Sequence, residues 1–214
     1  MYGRNAVAEA RRGRRRVHRV WTFEELGAGE LSRLAGSPDH QGVVAEVDPY
    51  PYADPASLLE RADALVIALD QVQDPRNLGA ICRSAEIAGA AGVLIPARRS
   101  ARVTAVACKA SAGAVEHLPV ARARNVAEWI GEAKRAGAWV YGARPEAPTR
   151  YDGVDWRGRV VLVLGGEGKG IRPRVAGACD AMVAIPQAGQ VESLNVAAAA
   201  SVLLFEAVRQ RTGA

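Results

Sequence analysis

RVVLVLGGEGKGIRP, residues 159–173, decides how this chain folds. Val160 to Leu164 is an unbroken aliphatic run. Such a run reads as a strand buried on both faces, as in a parallel sheet. It enters Gly165, Gly166, Glu167, Gly168, Lys169 and Gly170 directly, and four glycines in six positions mean a backbone bent sharply against a ligand. Ligands of parallel α/β sheets sit beyond the carboxyl ends of the strands, so the turn marks a candidate site. It is not a phosphate-binding P-loop, because Gly170 follows Lys169 where Ser or Thr is needed, and it lacks the G-x-G-x-x-G spacing of dinucleotide sites. Glu167 would repel a phosphate; a sulfonium cation or a hydroxyl suits it better.

Working outward, ALVIALD (64–70), GVLIP (92–96), HLPVA (117–121), AWVYGAR (138–144) and AMVAIP (181–186) read as further strands. Helices are expected over 77–90, 125–137 and 194–210, with a helix or loop over 103–112 and a short helix within 173–179. This alternation predicts an α/β domain with a parallel sheet covered on both faces, spanning residues 61–214. A small basic region, 1–48, precedes it. That region carries a helix-like NAVAEARRGRRRV (5–17), a short helix within 23–36 and a strand, GVVAEV (42–47). A proline-rich linker, 49–60, joins the two.

The composition, 49% hydrophobic and 24% charged with only 5% aromatic residues, predicts a globular protein with an aliphatic core. No apolar run reaches the roughly 20 residues of a membrane span, and the basic N-terminus does not read as a secretory signal, so a cytoplasmic location and no membrane partner are expected. Cys82, Cys108 and Cys179, like His18, His40 and His117, are scattered, and neither a disulfide framework nor a metal site is expected. The net charge of +5 is concentrated in the first twenty residues, where seven arginines face the single acid Glu9. The other 194 residues net −1, so the sequence places any polyanion-binding surface at the N-terminus.

Two more segments stand out at the strand ends. In DPRNLGAICR (74–83), Asn77, Gly79 and Arg83 form an N-x-G-x-x-x-R pattern entering a helix. Asn77 and Arg83 are less than two turns apart and both could reach the same end of that helix. In IPQAGQVESLNVAAAA (185–200), a loop with Gly189 leads to Ser193, Leu194 and Asn195, which open the last helix as possible caps. The small residues from Ala197 to Ser201 allow close packing, and the apolar LLFEAV after them suits a symmetric dimer contact.

Taken in order, NLGAICR, LVLGGEGKGI and IPQAGQVESLNVAAAA resemble the three motifs of the SpoU (TrmH-like) branch of the SPOUT RNA 2′-O-ribose methyltransferases, over about residues 64–211. YGRNAVAEA and DHQGVVAEVDPYPY also resemble the small RNA-binding domain and linker of the subgroup that methylates a guanosine in 23S ribosomal RNA. The resemblance implies a parallel sheet with a C-terminal trefoil knot, a homodimer, an RNA substrate and S-adenosylmethionine as methyl donor, with no metal. It implies donor contacts at Gly165, Gly166, Ile185, Gly189 and Leu194, with Ile185 and Leu194 as apolar walls for the adenine. It places Asn77, Arg83, Glu167, Ser193 and Asn195 at catalytic or substrate-orienting positions. An arginine is a poor base, so Arg83 is read as positioning and electrostatic, with Glu167 or a phosphate-linked relay taking the proton. The sequence departs from the family in a shortened stretch between Val20 and Gly42, and in alanines after Leu194-Asn195-Val196 where relatives carry Ser or Thr. A transfer-RNA 2′-O-methyltransferase and a non-catalytic RNA-binding assembly factor are the competing readings.

Overall fold

The computed structural model describes residues 1–213. Its centre is a seven-stranded sheet in the order β5-β4-β3-β8-β6-β9-β7, with every pairing parallel. The strands are β3 (Leu65–Asp70), β4 (Gly92–Pro96), β5 (Val120–Ala123), β6 (Trp139–Ala143), β7 (Thr149–Arg150), β8 (Val160–Gly165) and β9 (Ala181–Ala184). All six residues of β3 are buried, as are Val160 to Leu164 of β8, which explains why both read as continuous apolar runs.

Helices α4 (Pro75–Ile87), α5 (Ala105–Ala110), α6 (Val126–Arg135), α7 (Pro173–Ala176) and α8 (Val196–Thr212) cover the two faces. Local chemistry sets their starts. The Asp74 carboxylate accepts from the Arg76 amide at 2.7 Å, and Pro75 supplies the fixed φ of a first helical residue. Helix α4 therefore begins two residues before the expected Asn77. Asn125 caps α6 through the amides of Ala127 and Glu128, at 3.1 and 3.4 Å. Two cores result: Ile67, Leu69, Leu162 and Leu164 pack against α4 and α8, while Val66, Ala68, Val161 and Val163 pack with Trp129 and Ile130 of α6.

The N-terminal region holds α1 (Arg4–Arg12), α2 (Phe23–Leu26), α3 (Ala28–Ala35) and an antiparallel pair, β1 (Val17–Thr22) and β2 (Val43–Val47). The basic helix stops at Gly13, earlier than expected, and arginines 14 to 16 lead into β1, a strand the sequence reading lacks. Its own buried cluster is small: Tyr2, Leu31 and Val44. It is held instead by the large domain. Arg15 and Glu116 form a buried ion pair, with side chains 6% and 1% exposed, and Arg15 also donates to the Cys108 sulfur at 3.2 Å. Burial opposes the Arg15 charge, but the hydrogen bonds it donates to Glu116 overrule it and hold the guanidinium above its ordinary pKa. Arg14 donates to the carbonyls of Glu116 and His117, at 3.3 and 2.8 Å. Gly13 permits this approach, since a Cβ there would lie 2.5 Å from that of Glu116. Glu116→Gln keeps the volume and removes the charge, so we expect a loss of about 2 kcal/mol, the scale of a charge-assisted hydrogen bond. That is a fall of about 6 °C in Tm by circular dichroism. An unchanged Tm would mean that the clamp does not hold the two parts together.

Candidate functional site

A cleft of about 540 Å³ opens at the carboxyl ends of β8, β6 and β9, where the parallel-sheet argument places a ligand. Three loops line it: 165–171 after β8, 185–195 between β9 and α8, and 143–146 after β6. The first loop is the glycine turn. The Gly166 amide donates to the Asp70 carbonyl at 2.8 Å, and the Gly170 amide donates back to the Gly166 carbonyl at 3.0 Å, closing a tight hairpin. A Cβ on Gly165 would lie 2.0 Å from the Gly170 carbonyl carbon, and one on Gly166 would lie 2.3 Å from the Gln71 carbonyl oxygen. Both positions exclude every side chain by contact with backbone, which cannot swing away. Below the turn, the fully buried Asp70 carboxylate accepts from the amide and the Nε of Arg172, each at 2.8 Å, and ties both ends of the loop to β3.

Three of the residues singled out from sequence meet in one hydrogen-bonded line. Asn195 caps α8, its Oδ1 accepting from the amides of Ala197 and Ala198 at 2.9 and 3.3 Å. Its Nδ2 donates to Asn77 Oδ1 at 3.1 Å, and Asn77 Nδ2 donates to Glu167 Oε1. One residue from each motif, 118 positions apart at the extremes, is thereby joined at the cleft. The order is directional. The cap fixes the Asn195 amide, Asn195 orients Asn77, and Asn77 presents its donor to one oxygen of Glu167, leaving the other oxygen free to accept a proton.

Gly165, Gly166, Ile185, Leu194 and Ser193 line the cleft. Ser193 is exposed and caps nothing; the helix starts at Val196 with Asn195 as its cap. Gly189 lies in the same loop but outside the lining, with open space where a Cβ would stand. Arg83 stands apart from these residues. It is exposed, outside the lining, and makes no hydrogen bond or ion pair among the described residues. Six residues past Asn77 is 240° around the helix, which turns Arg83 away from the cleft its own chain builds. The small residues of α8 pack closely against the chain's own α4. Ala197 and Ala200 are buried within the chain, and Ser201 Oγ meets Ser84 Oγ of α4 at 2.8 Å.

The sequence reading missed Arg144, Glu146, Lys169, Gln187 and Glu192, all of which line the cleft. Arg144 and Glu146 were within reach of sequence reasoning, since they follow the strand at 138–144 at the same carboxyl edge. Among the described residues, no group of three His, Cys, Asp or Glu side chains is arranged to hold a metal ion, and no helix is long and apolar enough to cross a membrane.

Comparison with known proteins agrees with this geometry. The model of the SpoU rRNA Methylase family matches residues 64–205. A protein of Mycolicibacterium vanbaalenii named as an uncharacterized tRNA/rRNA methyltransferase is 48% identical over 195 residues, 89% of this chain and 62% of the relative. A Mycobacterium tuberculosis protein of the same name is 47% identical over 191 residues, 87% of this chain and 59% of that protein. This chain thus spans about three fifths of the length of these relatives. Among solved structures, the SpoU methyltransferase AviRb of Streptomyces viridochromogenes, in complex with AdoMet, superposes with a TM-score of 0.83 at 29% identity, covering 100% of this chain and 90% of its own. The AdoMet-bound rRNA methyltransferase of Sinorhizobium meliloti gives 0.84 at 28% identity, covering 98% and 86%. The A. aeolicus TrmH/SpoU tRNA modifying enzyme gives 0.64 at 26% identity, covering 74% of this chain and 81% of its own.

Proposed function

This chain belongs to the SpoU rRNA methylase family, and from that premise we propose that it moves a methyl group from S-adenosylmethionine to a ribose 2′-hydroxyl of RNA, at a guanosine of 23S ribosomal RNA. The observation that carries the reading is the line Asn195–Asn77–Glu167, which joins all three motifs at one cleft. The cleft suits the donor chemically. Ile185 and Leu194 offer apolar walls to an adenine, Glu167 and Glu192 offer negative charge to a sulfonium, and the glycine turn brings bare backbone to the lining. AviRb and the Sinorhizobium protein are both solved with AdoMet.

The donor supplies an electrophilic methyl with a neutral thioether as leaving group. The chain must activate a weak nucleophile and hold it in line. The free oxygen of Glu167 accepts the hydroxyl proton as the new carbon–oxygen bond forms, and the Asn77 amide steadies that carboxylate. The ribosomal-RNA enzyme of Sinorhizobium matches 98% of this chain, against 74% for the transfer-RNA enzyme, and the wider match favours ribosomal RNA. We also read the C-terminal part as threaded into a trefoil knot. The insertion of β8 between β3 and β6, and the backbone contact of Gly165 with Gly170, support that reading.

The homodimer belongs to the same proposal. Helices α4 and α8 pack side by side and leave Ile87, Val202 and Phe205 exposed at 62%, 38% and 48%. Arg83 stands one turn before Ile87 on that face, so it meets a cleft only across a dimer, where we give it an electrostatic positioning role. Phe205→Glu is expected to convert a dimer into a monomer in light scattering while leaving the circular dichroism spectrum intact. A variant still dimeric would move the interface elsewhere.

The activity is tested by mapping ribose methylation by mass spectrometry in RNA from cells with and without the protein, together with calorimetry against S-adenosylmethionine. A single 2′-O-methyl lost from 23S RNA is the expected result. Unchanged methylation together with no donor binding would leave a non-catalytic RNA-binding role.

A further inference from the structure

The sequence concentrates positive charge in the first twenty residues; the fold builds a second basic surface elsewhere. Arg98, Arg99 and Arg102 lie in the loop after β4, and Arg124 lies in the turn after β5. All four are exposed, and none of their side chains has a hydrogen bond or ion pair among the described residues. Because β3, β4, β5 and β8 are parallel neighbours, these turns share one edge of the sheet with the cleft. Strands about 4.8 Å apart put the arginine turns some 10 to 15 Å from the glycine turn.

Four acids near that edge are already engaged. Asp70 holds Arg172, Asp74 caps α4, Glu167 meets Asn77, and Glu128 accepts from Asn125 at 2.5 Å. Several exposed arginines elsewhere share their charge with an acid two residues away, Arg61 with Asp63, Arg150 with Asp152 and Arg157 with Asp155, whereas the four on this edge do not. The loop that carries it is also anchored. The Ala101 amide and the Ser100 hydroxyl donate to the Val72 carbonyl at 2.8 and 3.2 Å, and Arg122 donates to the Ala97 carbonyl at 2.9 Å. Val72 follows Gln71, whose carbonyl abuts Gly166 in the cleft wall. Arg99 itself sits at φ +56°, a left-handed conformation that a glycine would adopt without strain.

We propose that Arg98, Arg99, Arg102 and Arg124 form a phosphate track that carries the RNA strand flanking the target nucleotide from the β5 edge into the cleft. The proposal rests on the RNA-methylating reading above and names the surface that holds its substrate. Phosphates along a single strand are spaced so that two or three of them span this edge, and each arginine contact releases counterions on binding. The contacts are to backbone, so they give affinity and register but not sequence choice.

The test uses the full chain and a fluorescein-labelled RNA hairpin of mixed sequence, followed by anisotropy across a salt series. The R98E/R99E/R102E variant is expected to bind at least about tenfold more weakly, with the slope of log affinity against log salt reduced by about two to three. Arg157→Glu, a self-neutralised arginine, is expected to match the native chain. Arg99→Gly supplies the internal control for folding. Removing the left-handed strain should raise Tm while RNA affinity falls, a pairing that a purely structural arginine does not produce. Equal affinity in the triple variant, or an equal loss in Arg157→Glu, would overturn the track. Calorimetry with S-adenosylmethionine keeps the two proposals apart. Donor binding absent even in the native chain would sink the methyl-transfer reading, while RNA affinity alone decides the track.

Discussion

Gly165→Ala is expected to leave a protein that no longer holds S-adenosylmethionine. The new methyl would stand 2.0 Å from the Gly170 carbonyl carbon and 2.3 Å from the Ile171 nitrogen. Both are backbone atoms of a loop pinned at one end by the Gly166–Asp70 bond and at the other by Arg172 on Asp70. No rotamer relieves such a clash; the turn has to move, and the cleft lining moves with it. Overpacking of this kind costs about 3 kcal/mol of stability. Displacing a turn that presents backbone to the ligand should weaken donor binding by more than about 100-fold, or about 2.7 kcal/mol. Calorimetry and thermal unfolding read the two effects separately. Gly189→Ala is the contrast: nothing stands near its Cβ position, so donor affinity should be unchanged. If Gly165→Ala binds donor like the native chain, the glycine turn is not the donor site.

Asn77→Ala should act on turnover instead. It breaks the line at its middle, leaving the Asn195 amide and the Glu167 carboxylate without their partner. Donor binding should hold, because Asn77 lies outside the lining of the cleft. The expected result is a fall in kcat of about 100-fold, the scale of a misplaced reacting group, with KM for the donor within about threefold of native. Asn77→Asp is the sharper probe. It keeps the shape and the acceptor facing Asn195, but sets a carboxylate against Glu167, and like charges at contact repel. Its activity should be no better than that of the alanine variant at neutral pH. A kcat near the native value in either variant would remove this line from the chemistry.

The continuous apolar strands were legible in the sequence because burial on both faces leaves no alternation to misread, and the glycine turn was legible because four glycines in six positions mark a sharp bend: Gly165 and Gly166 are crowded by backbone, while Gly168 and Gly170 adopt φ of +77° and +62°. Strand β1 was not, since VHRVWT is exposed or half-buried along its length and carries no periodic signal. The start of α4 was misplaced by two residues because the cap is Asp74 and not Asn77. Pairwise placement was harder still. Nothing in the chain order shows that Asn195 reaches Asn77, that Arg15 is spent on a buried carboxylate, or that Arg83 faces away from the cleft. The charge distribution was legible only in part. Summed along the chain it points to the N-terminus, and no linear window joins the turns that bring Arg98, Arg99, Arg102 and Arg124 to one edge of the parallel sheet.

The double duty of Asn195 has a consequence for synthesis on the ribosome. One oxygen of its amide starts α8 while the nitrogen holds Asn77, so the reactive alignment cannot exist before residues 196–212 have left the exit tunnel and wound into a helix. A nascent or prematurely terminated chain ending before Val196 would lack both the cap that orients Asn77 and the side of the core that Ala200, Leu203, Leu204 and Ala207 supply, so the alignment would arrive in a single late step with the last helix.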